Sequence, residues 1–365
     1  MEKRRRSKGK RIAAAVIIVL VIAAASVPAA SHLVWHRSTK ATLVEIYRRA
    51  HYDGRFDTAE AAEEWMARRA AVEDRPYTLP EGADEEYASA VSVEEMCGRQ
   101  VVVFDGAGSA GNAAQPIVLY LHGGAYVGGI LPYHLEFCDR LAARSGMRVL
   151  VPDYPLAPNH TWEEAYAFLG DLWEELAETA DAEEAAGGSV PLFLMGDSAG
   201  GGLAAAFCEQ LAAERTASSQ FPLPSRLRLP DHLILFSPWV DATMSGDYDA
   251  YLDADPSLAP EGLAACGAAW AGGLDPADPR VSPLFGFLVG LPQTTVFVGT
   301  REIFYPDVLE FYERLEAADV GVQLIVGEGM NHVYPLYPMP EAEAALELVV
   351  RLCGVRILEG SGSHF

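Results

Sequence analysis

The chain has 365 residues, half of them hydrophobic, and a net charge of −24. That length and apolar content support a large buried core and exclude a disordered chain. Seven basic residues and Glu2 lie within residues 1–11, a net +6, which leaves −30 for the rest. An acidic body of this size repels nucleic acid and anionic surfaces, so no nucleic-acid partner is expected.

Residues 1–11 form a basic tail, and no formal charge follows from Ile12 to His36. A basic tail before an apolar run of this length marks residues 12–35 as a membrane anchor or a signal peptide. Val27-Pro28-Ala29-Ala30-Ser31 resembles a cleavage site. The tail stays on the cytoplasmic side. The body is therefore expected outside the cytoplasm, held at the cell membrane by this segment or secreted if it is cleaved.

Residues 40–95 read as a helical cap region. Leu43, Ile46, Tyr47 and Ala50 share one face, and Ala61, Trp65 and Met66 share another, with Arg and Glu opposite. Both faces are expected to pack inward. Pro76 and Pro80 interrupt the region.

From about residue 99 to 358 short apolar strands alternate with amphipathic helices, the pattern of a mostly parallel α/β sheet. Strands are expected at Arg99–Asp105, Ile117–Leu121, Arg148–Pro152, Val190–Met195, His232–Phe236, Thr295–Gly299 and Val322–Val326. Gly106–Gln115 reads as a small-residue loop. Helices are expected near His134–Ser145, Trp162–Ala180, Asp307–Ala318 and Glu341–Leu352. The five cysteines are scattered without C-x-x-C spacing, so neither a zinc site nor a disulfide framework is expected, and they read as mostly buried small apolar residues.

Gly196-Asp197-Ser198-Ala199-Gly200 lies between an apolar strand and a helix start. That context makes G-x-S-x-G a nucleophile elbow, with Ser198 on a sharp turn and the Ala199 amide beside the place where an oxyanion would form. His122-Gly123-Gly124-Ala125-Tyr126 follows the strand Ile117–Leu121, where a second loop lends amides to such an oxyanion. Gly124 is a donor on this reading, and either Gly123 or Ala125 completes the set, Ala125 on condition that its φ is negative. A serine nucleophile needs an imidazole base. His332, on the loop after Val322–Val326, is the best placed of nine histidines. His122 belongs to the oxyanion loop and reads as structural. The acid is Glu302, three residues past Gly299, or Asp307, which also suits the N-terminal dipole of its helix. Glu302 is favoured because a triad acid must leave its strand almost at once. The order Ser198, Glu302, His332 is that of the α/β-hydrolases.

These pieces resemble the bacterial hormone-sensitive-lipase-like family of α/β-hydrolase esterases. The resemblance runs from about residue 116 to 339. It rests on His122-Gly123-Gly124-Ala125, Asp153-Tyr154-Pro155-Leu156-Ala157-Pro158, Gly196-Asp197-Ser198-Ala199-Gly200-Gly201, Ser237-Pro238-Trp239-Val240-Asp241, Ser282-Pro283-Leu284-Phe285 and Gly329-Met330-Asn331-His332. It implies an eight-stranded sheet with helices on both faces. It also implies a cap built from the N-terminal helices and an insertion at about residues 242–273. No metal or organic cofactor and a small-molecule carboxylic ester substrate follow from it. Asp153 and Asp241 match as scaffold residues. Two positions depart from the family pattern. Ala125 stands where a third glycine is usual, and Glu302 stands where Asp is common. An exported peptidase or amidase on the same fold, and a catalytically inactive binding module, are the alternative readings.

Overall fold

A computed structural model describes residues 26–354 apart from 73–74, 107–114, 186–187 and 216–226. The N-terminal part holds helices α1 (Thr39–His51) and α2 (Ala59–Ala70) and the single turn α3 (Ala83–Glu86). Ser38 and Thr58 cap α1 and α2 by accepting the amides of Ala41 and Ala61. The body follows as β1 (Ala90–Met96), β2 (Arg99–Asp105), β3 (Ile117–Leu121), α4 (Pro132–Ser145), β4 (Arg148–Pro152), α5 (Trp162–Ala185), β5 (Leu192–Asp197), α6 (Ser198–Arg215), β6 (His232–Phe236), α7 (Pro260–Ala271), β7 (Thr294–Gly299), α8 (Tyr305–Ala317), β8 (Val322–Gly327) and α9 (Pro340–Leu352).

The strands form one eight-stranded sheet in the order β1-β2-β4-β3-β5-β6-β7-β8. β1 and β2 run antiparallel to their neighbours, and the other pairs are parallel. Each central strand is buried on both faces, which is why Ile117–Leu121 and His232–Phe236 read as unbroken apolar runs. Ile117, Leu119 and Leu121 join one core with Leu169, Leu203 and Trp270, while Val118 and Tyr120 join the other with Leu135, Phe137 and Leu346. That alternation is the period of two of a strand between two helical layers.

Two expectations for the N-terminal part are corrected. Ala90–Met96 was expected within the helical region and is a strand, so the sheet begins before residue 99. Among the described residues it is an edge strand paired only with β2, and Glu94 and Glu95, on opposite faces, interrupt the alternation set by Val91 and Val93. The apolar face of α1 does not pack inward either. Leu43, Ile46 and Tyr47 are 50–63% exposed, whereas Thr42 and Glu45 on the other side are buried. The α2 face packs through Trp65 and Met66 as expected, with Ala62 buried beside them and Ala61 only half-buried. Phe56, just before α2, accepts the amide of Gly262 in α7 and stacks edge-on against Trp65, so the expected insertion lies against the N-terminal cap helices. Four cysteines are buried and Cys97 is exposed. The small-residue loop expected at Gly106–Gln115 falls mostly on residues 107–114, outside the described residues. Residues 12–25 of the expected membrane segment and 355–358 of the expected body also lie outside them. Among the described residues no helix is long and apolar enough to cross a membrane.

Candidate active site

Parallel register brings the loops to one edge. Leu121 pairs with Gly196, so the loops carrying His122-Gly123-Gly124 and Ser198 leave β3 and β5 at the same level. Gly299 pairs with Gly327, so the loops carrying Glu302 and His332 leave β7 and β8 at the same level. Ser198 opens α6 with φ +52°, the left-handed backbone of an elbow. A Cβ on Gly196 would strike the Gly200 carbonyl, and one on Gly200 would strike the Leu121 carbonyl. Both positions of the pentapeptide therefore require glycine.

Ser198 Oγ lies 2.9 Å from His332 Nε2, and His332 Nδ1 lies 2.5 Å from Glu302 Oε2. The second oxygen of Glu302 accepts the Gly299 amide at 2.6 Å and the Ser237 hydroxyl at 2.8 Å. Its carboxylate is thus fixed from both sides and faces Nδ1, which puts the ring's acceptor lone pair toward the serine. Ser237 Oγ also accepts the Val333 amide at 3.0 Å, so one hydroxyl ties the acid to the histidine loop. Asp255, on the insertion, accepts the Ile303 amide at 3.1 Å and those of Ser257 and Leu258. Arg48 of α1 donates to the His332 carbonyl at 2.9 Å and to Ser257 Oγ at 2.5 Å. Ser237 opens the Ser237-Pro238-Trp239-Val240-Asp241 motif, but nothing local to it predicts this role. Asp255 and Arg48 carry no local motif, and only the fold brings them to the site.

Asp307 is not part of this line. Its carboxyl accepts the Tyr248 hydroxyl at 2.7 Å, and burial pushes it up to about 7. It lies in the first turn of α8, as expected, with Tyr248 as its side-chain partner. An acid with a raised folded pKa holds its proton while the unfolded chain has lost it. Its contribution to stability therefore declines as pH rises from about 4 to about 7. Asp307→Asn should keep full esterase activity and flatten the stability profile over that window. Urea melts of both proteins at either end of the window check this. A variant that lost stability equally at both ends would contradict it.

The oxyanion loop is held from below. Asp197 Oδ1 accepts the Gly123 amide at 2.9 Å and the Tyr120 hydroxyl at 2.8 Å. The Leu131 amide donates to His134 Nδ1 at 2.9 Å, so the ring proton of His134 is on Nε2, 3.5 Å from Asp197 Oδ2. Burial raises the carboxyl of Asp197, but His134, Tyr120 and the Gly123 amide outweigh it and hold the group below the usual carboxylate value. The Gly123 amide is therefore not free for a ligand, which removes Gly123 from the expected donors. Ala125 has φ +55°, so the condition set on its donation is not met. Gly124 remains, and Ala199 lies in the first turn of α6, where amides have no intrahelical acceptor. Tyr126 stacks on Trp239 and Trp270 at 5.3 and 4.4 Å, which fixes the far end of the loop. His122 is structural as expected. Its Nδ1 donates to the Gly123 carbonyl, its ring stacks on Tyr154, and burial lowers it to about 3.

A pattern described as the alpha/beta hydrolase fold matches residues 118–336. An esterase of Acinetobacter venetianus is 34% identical over 238 residues, 64% of this chain and 73% of that protein. The chain belongs to the α/β-hydrolase family of esterases. An ethyl acetate hydrolase of Pseudomonas putida is 31% identical over 64% of this chain and 71% of its own length. A solved esterase of the bacterial hormone-sensitive lipase family superposes with a TM-score of 0.67 at 26% identity, covering 87% of this chain and 98% of that one. In this α/β-hydrolase the serine, acid and histidine follow β5, β7 and β8 in the family's order.

Proposed function

We propose that this chain is a serine carboxylesterase acting through an acyl-enzyme on short-to-medium acyl esters. The observation that carries the reading is the unbroken line from Ser198 Oγ through His332 to Glu302. Ser198 attacks the ester carbonyl as His332 takes its proton, and the amides of Gly124 and Ala199 receive the charge on the carbonyl oxygen. His332 then gives the proton to the leaving alcohol. Glu302 holds the ring in the required tautomer and stabilises the imidazolium. Water, deprotonated by His332, releases the acid.

The acyl range is supported by the ethyl acetate hydrolase relative and by Arg48 of α1 and Asp255 of the insertion, which bond to the His332 and Glu302 loops. A panel of nitrophenyl esters, assayed on the full chain in detergent, should peak between acetate and octanoate. Faster turnover of an emulsified long-chain triglyceride than of soluble butyrate would contradict it.

The body is proposed to lie outside the cytoplasm, anchored through residues 12–35. The basic tail and the uncharged run after it support this. Protease added to intact spheroplasts should remove the catalytic domain. Complete protection would reverse the topology.

A further inference from the structure

α1 is amphipathic in the inverted sense. Its polar side faces the protein. Glu45 is buried and binds Arg37 at 2.5 Å, Arg49 at 3.2 Å and Arg301 at 3.0 Å, while Arg48 reaches the His332 carbonyl. Its apolar side faces outward, with Leu43 at 53%, Ile46 at 50% and Tyr47 at 63% exposure. Leu33 and Val34, just before α1, are also exposed. A helix in water places its residues the other way round. Such a face implies a partner that is itself apolar.

The place of the helix in the chain indicates which partner. The uncharged run ends at His36, just before α1, and residues 26–33 within it are helical. That stretch is fastened to the body. Ser31 Oγ donates to Thr42 Oγ1 at 2.8 Å, and Arg37 donates to the Gly329 carbonyl at 2.8 Å, on the loop that carries His332. The exposed face is therefore within one short turn of the proposed anchor. Lys40 is exposed on α1 as well, and its ammonium suits an anionic headgroup at the margin of the apolar face, whereas Arg37, Arg48 and Arg49 are engaged with the body.

We propose that the outward face of α1 lies on the lipid bilayer that the N-terminal segment enters, with Leu43, Ile46 and Tyr47 at acyl-chain depth. The inference rests on the anchored reading above. Its consequence is orientation, because α1 is bonded to the His332 loop and so fixes the active-site edge of the sheet relative to the membrane.

The test uses the full chain in vesicles of phosphatidylcholine and phosphatidylglycerol. A nitroxide is attached at Ile46→Cys, or in a second variant at Leu43→Cys, with Cys97→Ser removing the exposed native thiol. A label at Glu178→Cys, on an exposed position of α5, is the reference. Turnover of soluble butyrate ester reports that each labelled chain is folded. Oxygen should relax the label at 46 severalfold more, relative to a water-soluble nickel chelate, than it relaxes the label at 178. If the chain floats with the vesicles but position 46 is as open to nickel as position 178, the docking fails and the anchor stands. If the chain does not float, both fail. If the label is shielded from both agents and neighbouring labels broaden one another, a second copy covers the face and the lipid proposal is wrong.

Discussion

Ser198→Ala and His332→Ala should each abolish ester turnover while the protein stays folded. The two atoms that exchange the proton are 2.9 Å apart, and neither side chain holds another part of the fold through that bond. A triad works as a unit, so either change is expected to cost roughly 10⁴-fold or more in kcat, about as much as removing both. The Ser198 backbone is left-handed, a conformation that costs about 1–2 kcal/mol in a non-glycine residue. Alanine meets the same cost, so its melting temperature should stay near wild type. Circular dichroism and the butyrate assay together check this. A double variant far less active than either single variant would mean that the two residues act separately.

Glu302→Gln should be nearly as damaging. The carboxylate accepts from Nδ1, from the Gly299 amide and from Ser237, and an amide can replace only part of this. If the amide oxygen stays with Gly299 and Ser237, the NH₂ group turns to Nδ1 and stabilises the wrong tautomer. A triad acid made neutral in this way loses about 10⁴-fold in kcat. Asp307→Asn serves as the comparison, since its carboxyl contacts Tyr248 and not His332. Paired kcat and KM values for the two variants decide the matter. The reverse pattern, an active Glu302→Gln beside an inactive Asp307→Asn, would move the acid and leave Ser198 and His332 in place.

The parts legible in the sequence are those set by local rules. Glycines around Ser198 announce a turn that admits no Cβ, and the unbroken apolar run Ile117–Leu121 announces a strand covered on both sides. Ser198, Glu302 and His332 could each be placed because each follows a strand end by a few residues. The errors fall where a residue's environment is set from far away. Ala90–Met96 is an edge strand whose charged residues obscure its alternation. Leu43, Ile46 and Tyr47 share a helix face as expected, but the pattern does not say which face the body covers, and buried arginine–glutamate pairs reverse it. Gly123 reads as a free donor, but Asp197, 74 positions later, takes its amide. Asp255 and Arg48 reach the site across 48 and 284 positions, beyond any motif.

The reaction proposed above turns on a covalent step at Ser198. A fluorophosphonate reacts with an activated serine and leaves one phosphonyl group on its oxygen, so intact mass and peptide mapping read the site directly. A single adduct is expected on the peptide containing Ser198, none in Ser198→Ala, and labelling slowed to near background in His332→Ala. An adduct on any other residue, or undiminished labelling of Ser198→Ala, would contradict it.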